Sequence, residues 1–425
     1  MTSRTIDEDI RETRKNLNLR LDAESTMWRQ RSRNTWLVSG DQNTSFFYAK
    51  TSHRFQRNTI QGSCDEDGSW QESDEAMERI ALDYFNSIFK SNRPTDVIEV
   101  VETIQLVVSR SMNRALLIEF RAEEVTKALK QMYPKKASVP DGIPHFFYQH
   151  YWSIVGNCVT LTVLDFLNHG IIPPKFNETH IIFIPKIKNP TKITHYRPTG
   201  LSNVVSRLAS KVLANRLKLL FPKIISENQS AFMNNQLITD NVLVAFETMH
   251  HISHTQKKKK KSGNVGEMAF KLDMSKAYDR VKWGCVENIM LKMGFHAHWV
   301  EIMIRCVQFV TYAVKINGNP RGNITPIMGL CQGDPLSPYL FLLCSEGLSA
   351  LLYRSVDQGV LKGVATCARD PKISHLFFID NSLIFCKATT DEYSNLISIL
   401  HMYEQALSQQ LNREKTSLYF SRNTP

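Results

Sequence analysis

The sequence lacks the features of several specialised protein classes. Its eight cysteines are scattered over 425 residues, and no two lie within four positions of each other. That spacing excludes the common zinc-finger patterns and a dense disulfide framework. No uncharged apolar run reaches the roughly 20 residues that a membrane-spanning helix needs. The highly charged N-terminus, MTSRTIDEDIRETRKN, is unlike a secretory signal. We therefore expect an intracellular protein, nuclear or cytoplasmic, with reduced thiols, no membrane contact and no secretion.

The composition is that of a globular protein with an excess of positive charge. Apolar residues make up 42% of the chain and charged residues 22%, and this length suggests two or three domains. The formal net charge is +11 and the sequence pI about 9.2. Such a charge favours a polyanionic partner, although many basic proteins bind no nucleic acid.

The first 60 residues are predicted to be helical and basic. Within residues 28–57, arginines alternate with aromatic residues. This mixture suits a surface that binds a nucleic-acid backbone and stacks on bases. An amphipathic helix packed on its neighbour explains the same composition, so both interpretations stay open.

Two acidic positions stand at the ends of apolar runs. The predicted buried strand 268–274, MAFKLDM, ends near Asp273, and HLFFIDNSLIFC at 375–386 predicts a hairpin with Asp380 and Asn381 at its turn. If the hairpin lies beside the strand, the two carboxylates converge, and divalent cations between them would relieve their repulsion. Taken singly, Asp-Asn is also a favoured turn pair, and Asp273 could cap a helix.

A glycine- and proline-rich loop lies between these positions. Residues 329–352, GLCQGDPLSPYLFLLCSEGLSALL, predict an irregular turn followed by an apolar helix. The chain order is therefore strand with aspartate, loop and helix, then hairpin with aspartate.

At this point the sequence resembles a known family. FKLDMSKAYDRV, GLCQGDPLSPYLF and HLFFIDNSLIF resemble, in this order, successive palm motifs of reverse transcriptases, with most likeness to plant non-LTR (LINE-type) retrotransposons. Further blocks covering nearly the whole chain resemble the same family, among them IIFIPKIKNPTKITHYRPTGLSNV, ENQSAFMNNQLITDNVLVAFE and LNREKTSLYFS.

The resemblance implies a role for each matching position. Asp273 and Asp380 would bind two metal ions, Mg²⁺ or Mn²⁺, and Asn381 would stand beside them in the catalytic hairpin. Lys415 would protonate the leaving pyrophosphate. Lys186 and Arg197 would grip the triphosphate of the nucleotide. Tyr278 would stack under its sugar and exclude a 2′-hydroxyl. Gln332 and Gly333 would belong to a loop that faces the nucleotide and the template.

The resemblance also implies an architecture and a reaction. We expect an α/β fold with the fingers and palm of a polymerase right hand and a small antiparallel sheet. Residues 1–115 would form a helical, basic and aromatic extension, and residues 116–425 the fingers-palm domain without a thumb. The reaction would be RNA-directed DNA synthesis from an RNA template, a DNA primer and deoxynucleoside triphosphates.

Several positions depart from the family pattern. The active hairpin sequence Phe-Ala-Asp-Asp is here Phe378-Ile379-Asp380-Asn381, and an asparagine carries no charge to hold Mg²⁺. We therefore expect impaired or absent activity, and a non-catalytic RNA-binding scaffold is the alternative. The other departures are Val139 for glycine, Thr199-Gly200 for Ile-Ser, Asn234-Asn235-Gln236 for Pro-Gly-Arg, Cys331 for arginine and Leu407-Ser408 for Ser-Gly.

Overall fold

The computed structural model describes residues 3–32, 44–89, 97–134, 140–233, 238–254, 265–366, 371–422 and 424. The replaced positions Val139 and 234–236 lie outside these residues, as does the 33–43 part of the arginine-aromatic segment. Among the described residues, no helix combines the length and the apolar character needed to cross a membrane.

Helices account for most of the regular structure. Within the described ranges they are α1 Ser3–Ser32, α2 Thr44–Asn58, α3 Asp74–Phe89, α4 Val97–Glu102, α5 Arg110–Leu116, α6 Ala122–Lys130, α7 His145–His150, α8 Trp152–His169, α9 Val204–Lys218, α10 Phe221–Ile224, α11 Ile238–His254, α12 Trp283–Met293, α13 Ala297–Gln308, α14 Ser337–Asp357 and α15 Thr390–Leu407. A short 3-10 helix spans Ile193–His195.

The strands of the described ranges form three sheets. They are β1 Ser63–Cys64, β2 Trp70–Gln71, β3 Glu178–Pro185, β4 Tyr196–Ser202, β5 Glu267–Asp273, β6 Thr311–Ile316, β7 Asn319–Ile324, β8 His375–Phe378, β9 Asn381–Lys387 and β10 Ser417–Phe420. Strands β1 and β2 pair alone. The order β10-β5-β9-β8 defines what we call the carboxylate sheet, and the order β4-β3-β6-β7 defines the mixed sheet.

The carboxylate sheet is antiparallel throughout and packs against helices. Its central strand β5 is buried at Met268, Ala269, Phe270 and Leu272. Three of these side chains belong to the large core that also contains apolar residues of α9, α12, α14 and α15. A strand with neighbours on both edges and cover over most of both faces needs a largely apolar sequence, which MAFKLDM provides apart from the exposed Lys271. The expectation of an α/β fold with a small antiparallel sheet is confirmed.

A second core lies under the mixed sheet, which contains one parallel pair, β3 with β6. Helix α3 contributes Ala81 and Phe85, which pack with Phe183 of β3 and Tyr312 of β6. Phe85 stacks on Phe183 with ring centroids 6.1 Å apart. Residues before position 115 therefore share a core with β3, which Lys186 follows, and with β4, which contains Arg197.

The sequence SRLASKVLANRLKLLFPKI at 206–224 predicts one helix, whereas the structure has two. Helix α9 ends at Lys218, and α10 begins at Phe221, with Pro222 in its first turn. Proline lacks the N–H that a continuous helix would use there, and it is favoured in a first turn. The prediction of a single helix was therefore wrong.

The N-terminal helices form a pair. Trp28 of α1 contacts Tyr48 of α2 edge-on with ring centroids 4.8 Å apart, and Phe47 is buried. On the same helix, Lys50, Arg54 and Arg57 are exposed. Helix α2 therefore packs on its neighbour and still presents a row of cations.

Candidate active site

The two acidic positions meet at the end of the carboxylate sheet. Asp273 is the last residue of β5, and the strand register places it opposite Asn381, the first residue of β9. Asp380 immediately precedes Asn381. Burial, followed by the charge of Asp273, raises the pKa of the Asp380 carboxyl, whereas Arg197 and Lys415 lower it. The site thus concentrates two carboxylates that repel each other.

The hairpin turn lies one residue earlier than predicted. Phe378 pairs with Asn381, so the two turn residues are Ile379 and Asp380. Asn381 therefore belongs to the ladder, and the connection between the strands is a two-residue turn. Ile379 has φ +57°, a left-handed conformation that is strained for a β-branched side chain. Its N–H donates to Oε1 of the fully buried Gln229 at 3.4 Å.

Two residues after α15 hold Asp273. Lys415 Nζ lies 3.3 Å from Asp273 Oδ2. Asn412 Nδ2 donates to the same oxygen at 3.2 Å, and the backbone N–H of Asn412 donates to the Asp273 carbonyl at 2.8 Å. The sequence analysis missed Asn412, although it lies within the block LNREKT.

A cleft of about 780 Å³ opens beside the carboxylates. Six of the predicted residues line it: Lys186, Arg197, Tyr278, Gln332, Gly333 and Asp380. Asp273, Asn381 and Lys415 lie at the adjoining strand ends rather than in the cleft wall.

Two cations of the cleft come from the β3–β4 hairpin. Lys186 follows β3, its backbone N–H donates to the His195 carbonyl at 2.9 Å, and Arg197 lies in β4. Burial lowers the pKa of Lys186, and the positive charges of Arg197 and Lys415 lower it further. Several cations thus share one wall, which suits a polyanion.

Tyr278 is fixed by packing and by the following loop. Its ring stacks on Phe341 of α14 with centroids 4.9 Å apart and an interplanar angle of 11°. Its carbonyl accepts a hydrogen bond from Leu330 N–H at 2.8 Å.

The loop before α14 is held by a hydrogen bond to β4 and by the conformation of Gly333. The Gln332 carbonyl accepts from Gly200 N–H of β4 at 2.9 Å. Gly333 has φ +110°, which only glycine adopts without strain. Each predicted nucleotide-binding residue on the palm side therefore has a defined position.

Several further residues of the cleft were not predicted from the sequence, and three of them contact one another or the predicted residues. Tyr84 of α3, Lys276 and Asp279 line the cleft. Lys276 Nζ lies 4.1 Å above the centre of the Tyr84 ring, and Gln332 Nε2 donates to Asp279 Oδ1 at 3.4 Å. Lys276 and Asp279 lie inside the block FKLDMSKAYDRV, but nothing in sequence spacing indicates their contact with Tyr84 or Gln332.

The donor set of the site suits a hard divalent cation. The described residues contain no cluster of three or more His, Cys, Asp or Glu side chains that could enclose a metal. Mg²⁺ is usually held by one or two carboxylates, with water and substrate phosphates completing its shell. The repelling pair Asp273 and Asp380, open to a basic cleft, fits that pattern.

Comparison with known proteins gives one family and several relatives. Residues 184–424 match the family model described as reverse transcriptase (RNA-dependent DNA polymerase). The chain is 24% identical to the transposon TX1 uncharacterized 149 kDa protein of Xenopus laevis over 91% of its own length and 29% of that protein. It is 54% identical to an uncharacterized mitochondrial protein of Arabidopsis thaliana over 16% of its own length and 55% of that protein.

A third similar protein is the retrovirus-related Pol polyprotein of the type-1 retrotransposable element R2 of Popillia japonica. The identity is 22%, over 51% of this chain and 29% of that polyprotein. The chain thus spans between about a quarter and about half of the length of these relatives.

Proposed function

The chain belongs to the reverse transcriptase (RNA-dependent DNA polymerase) family, and on that premise we propose that it extends a DNA primer along an RNA template. This proposal rests on one observation: the carboxylate pair lies beside a cleft that is lined by cations. Asp380 lines the same cleft as Lys186 and Arg197. Asp273 lies opposite Asn381, the residue that follows Asp380.

The proposed roles follow from charge and position. Lys186 and Arg197 grip the triphosphate, because fixed positive charge stabilises transferring phosphates. Tyr278 lies under the sugar, where its ring excludes a 2′-hydroxyl. Gln332 and Gly333 contact the incoming nucleotide and the template.

Asp273 and Asp380 would hold Mg²⁺ or Mn²⁺, two ions in all, and such ions activate a 3′-hydroxyl and stabilise the leaving pyrophosphate. Lys415 is the proposed proton donor to that pyrophosphate. In the present arrangement it neutralises Asp273, so this role requires Lys415 to leave the aspartate.

The domain organisation is part of the proposal. Residues 1–115 would be an N-terminal extension and residues 116–425 the fingers-palm domain. The packing of α3 on the mixed sheet supports the proposal that part of this extension braces the fingers.

The experiment is primer extension on an RNA template with Mg²⁺ and, separately, with Mn²⁺. Deoxynucleotides should be incorporated at a low rate, ribonucleotides should not, and Asp273→Ala should abolish incorporation. A non-catalytic RNA-binding scaffold is the second candidate, favoured by the uncharged Asn381. Retained RNA binding, with no incorporation under either metal, would establish the scaffold and reject the polymerase.

A further inference from the structure

Four side chains connect α3 to the loop before α14 across the cleft. They are Tyr84, Lys276, Asp279 and Gln332, which we call the cleft relay. The Lys276 ammonium lies 4.1 Å from the Tyr84 ring centre, a favourable cation–π distance. The Asp279 carboxylate accepts from Gln332 Nε2 at 3.4 Å. Tyr84 precedes the residues matched by the family model, which begin at position 184.

Asp279 is a buried carboxylate without a short ion pair among the described residues. It is 8% exposed, and burial raises its pKa to about 6. The positive charges of Lys276, Lys186 and Arg280 and the Gln332 hydrogen bond act in the opposite direction. Asp279 also interacts electrostatically with Tyr84 of α3, Tyr312 of β6 and Cys331 of the loop.

Lys276 is the largest of the charges acting on Asp279. Its own pKa is lowered to about 8 by burial and by Arg280, whereas Asp279 raises it. Its backbone has φ +53°, a conformation uncommon for a lysine. A strained backbone and a partly buried ammonium are both unfavourable by themselves, which indicates that the position serves the site rather than stability.

We propose that Asp279 is a positioning residue that orients the amide of Gln332 toward the incoming nucleotide, and that Lys276, held against Tyr84, keeps Asp279 ionised. This inference rests on the proposed function, since it concerns how Gln332 faces the nucleotide.

The physical reason lies in hydrogen-bond polarity. An ionised carboxylate only accepts hydrogen bonds, so it binds the NH₂ end of the Gln332 amide and leaves Oε1 free as an acceptor. A protonated Asp279 can donate to Oε1 instead, and the amide would then present its NH₂ group. The protonation state of Asp279 therefore sets whether the loop offers the nucleotide an acceptor or a donor.

The first measurement follows the side-chain amide signal of Gln332 by ¹H–¹⁵N NMR between pH 5 and 8, in the whole chain. The wild-type signal should titrate with a midpoint near pH 6, the pKa of Asp279. In Asp279→Asn it should not titrate. In Lys276→Met the midpoint should move to higher pH, and Lys276→Arg should restore it. Lys292→Met, at an exposed position of α12, is the matched control and should leave the midpoint unchanged.

The second measurement is the affinity for dTTP, with Mg²⁺ and an RNA–DNA duplex whose primer ends in a dideoxynucleotide. Relative to Asp279→Asn at the same pH, wild-type affinity should fall about three- to tenfold from pH 7.5 to 5.5, as expected for one lost hydrogen bond. Using this ratio cancels the titration of the triphosphate itself.

The proposal is overturned if the Gln332 amide signal does not change with pH, or if it titrates in Asp279→Asn as it does in the wild type. An unchanged midpoint in Lys276→Met overturns the assignment of Lys276. A titrating signal with a flat affinity ratio shows that Asp279 holds Gln332 only structurally, which also overturns it. If the wild type binds no dTTP at any pH, the proposed function fails together with the nucleotide part of this inference, while the NMR titration still decides whether Asp279 orients Gln332.

Discussion

Asn381 removes one negative charge from the strand ends where Asp273 and Asp380 meet. Its Nδ2 lies 3.4 Å from Asp380 Oδ1 and donates to it. This hydrogen bond partly neutralises a carboxylate that a cation would otherwise share. At the proposed cation site, we therefore expect the replacement to weaken binding in two ways, by lost charge and by a competing donor.

Asn381→Asp should increase primer extension with Mg²⁺. At an effective dielectric constant near 20, one charge pair at about 4 Å contributes about 4 kcal/mol. Because solvent and Asp380 screen part of that effect, we expect a gain of roughly 10- to 1000-fold in rate. The measurement is single-nucleotide incorporation beside the unmodified chain.

Asp273→Ala in the Asn381→Asp background should remove the gain, since the restored carboxylate needs its partner. A folded Asn381→Asp protein that stays inactive would locate the defect elsewhere, with Ile379 and Cys331 the next positions to restore. Efficient extension by the unmodified chain would contradict the expectation of an impaired enzyme.

Helix α15 ends on a residue that departs from the family pattern. Ser408 stands at its C-terminus with φ +57°, and the family pattern has glycine at this position. Glycine adopts the left-handed conformation without the contact between Cβ and the carbonyl that other residues suffer. Ser408 therefore has the left-handed conformation that favours glycine, although it is not glycine.

Ser408→Gly should stabilise the protein by about 1 kcal/mol. The measurement is urea unfolding, in which the midpoint should rise while the slope stays constant. Ser398→Gly, an exposed position inside the same helix, is the matched control and should be destabilising by about 0.5 kcal/mol. Destabilisation by both substitutions would mean that the Ser408 side chain contributes more than its backbone strain costs.

The elements of the site differ in how far the sequence could predict them. Strand β5 and the β8–β9 hairpin were predictable because apolar runs of the right length flank each aspartate. The turn was predicted one residue late because Asp-Asn is the commoner turn pair. A turn at Ile379 also requires a left-handed conformation, which is unfavourable for a β-branched residue. The ladder between Phe378 and Asn381 outweighed both preferences.

Some contacts between distant elements were beyond the sequence, although the meeting of Asp273 and Asp380 was not. A Cβ at Gly200 would lie 2.2 Å from Cys331 Sγ, so two departures from the family pattern that are far apart in the chain occupy the same space. The contact of Tyr84 with Lys276 likewise depends on how α3 packs on the mixed sheet. Periodicity reports local structure, so it indicated neither of these two contacts.

The whole molecule carries the net charge of +11, and α2 shows where part of it is exposed. Lys50, Arg54 and Arg57 are accessible there, with Tyr48 and Phe55 exposed beside them. Such a surface can contact phosphates and stack on bases without reading sequence. Binding of single-stranded RNA through this surface would therefore be compatible with the packing of α2 on α1.

Replacing Lys50, Arg54 and Arg57 by glutamine together should weaken single-stranded RNA binding and flatten its salt dependence. Each lost phosphate contact lowers the slope of log affinity against log salt by about 0.7. The measurement is binding to RNAs of different sequence across a salt series, and all of them should be affected alike.

The matched control replaces three cations that are exposed on other helices, Lys223 of α10, Lys292 of α12 and Arg354 of α14. If this control flattens the slope equally, the salt dependence reflects net charge and not a binding surface on α2. An unchanged slope in the α2 variant would assign those cations to the packed structure alone.

Strand β10 stands at one edge of the carboxylate sheet, and it exposes 38% of Leu418, 47% of Tyr419 and 51% of Phe420. Edge strands with exposed apolar side chains are templates for pairing with strands of other molecules. We therefore expect the strand that completes the described sheet beside β5 to be a site at which molecules of this protein can aggregate. Solubility, rather than folding, is expected to limit the concentration at which this chain can be handled.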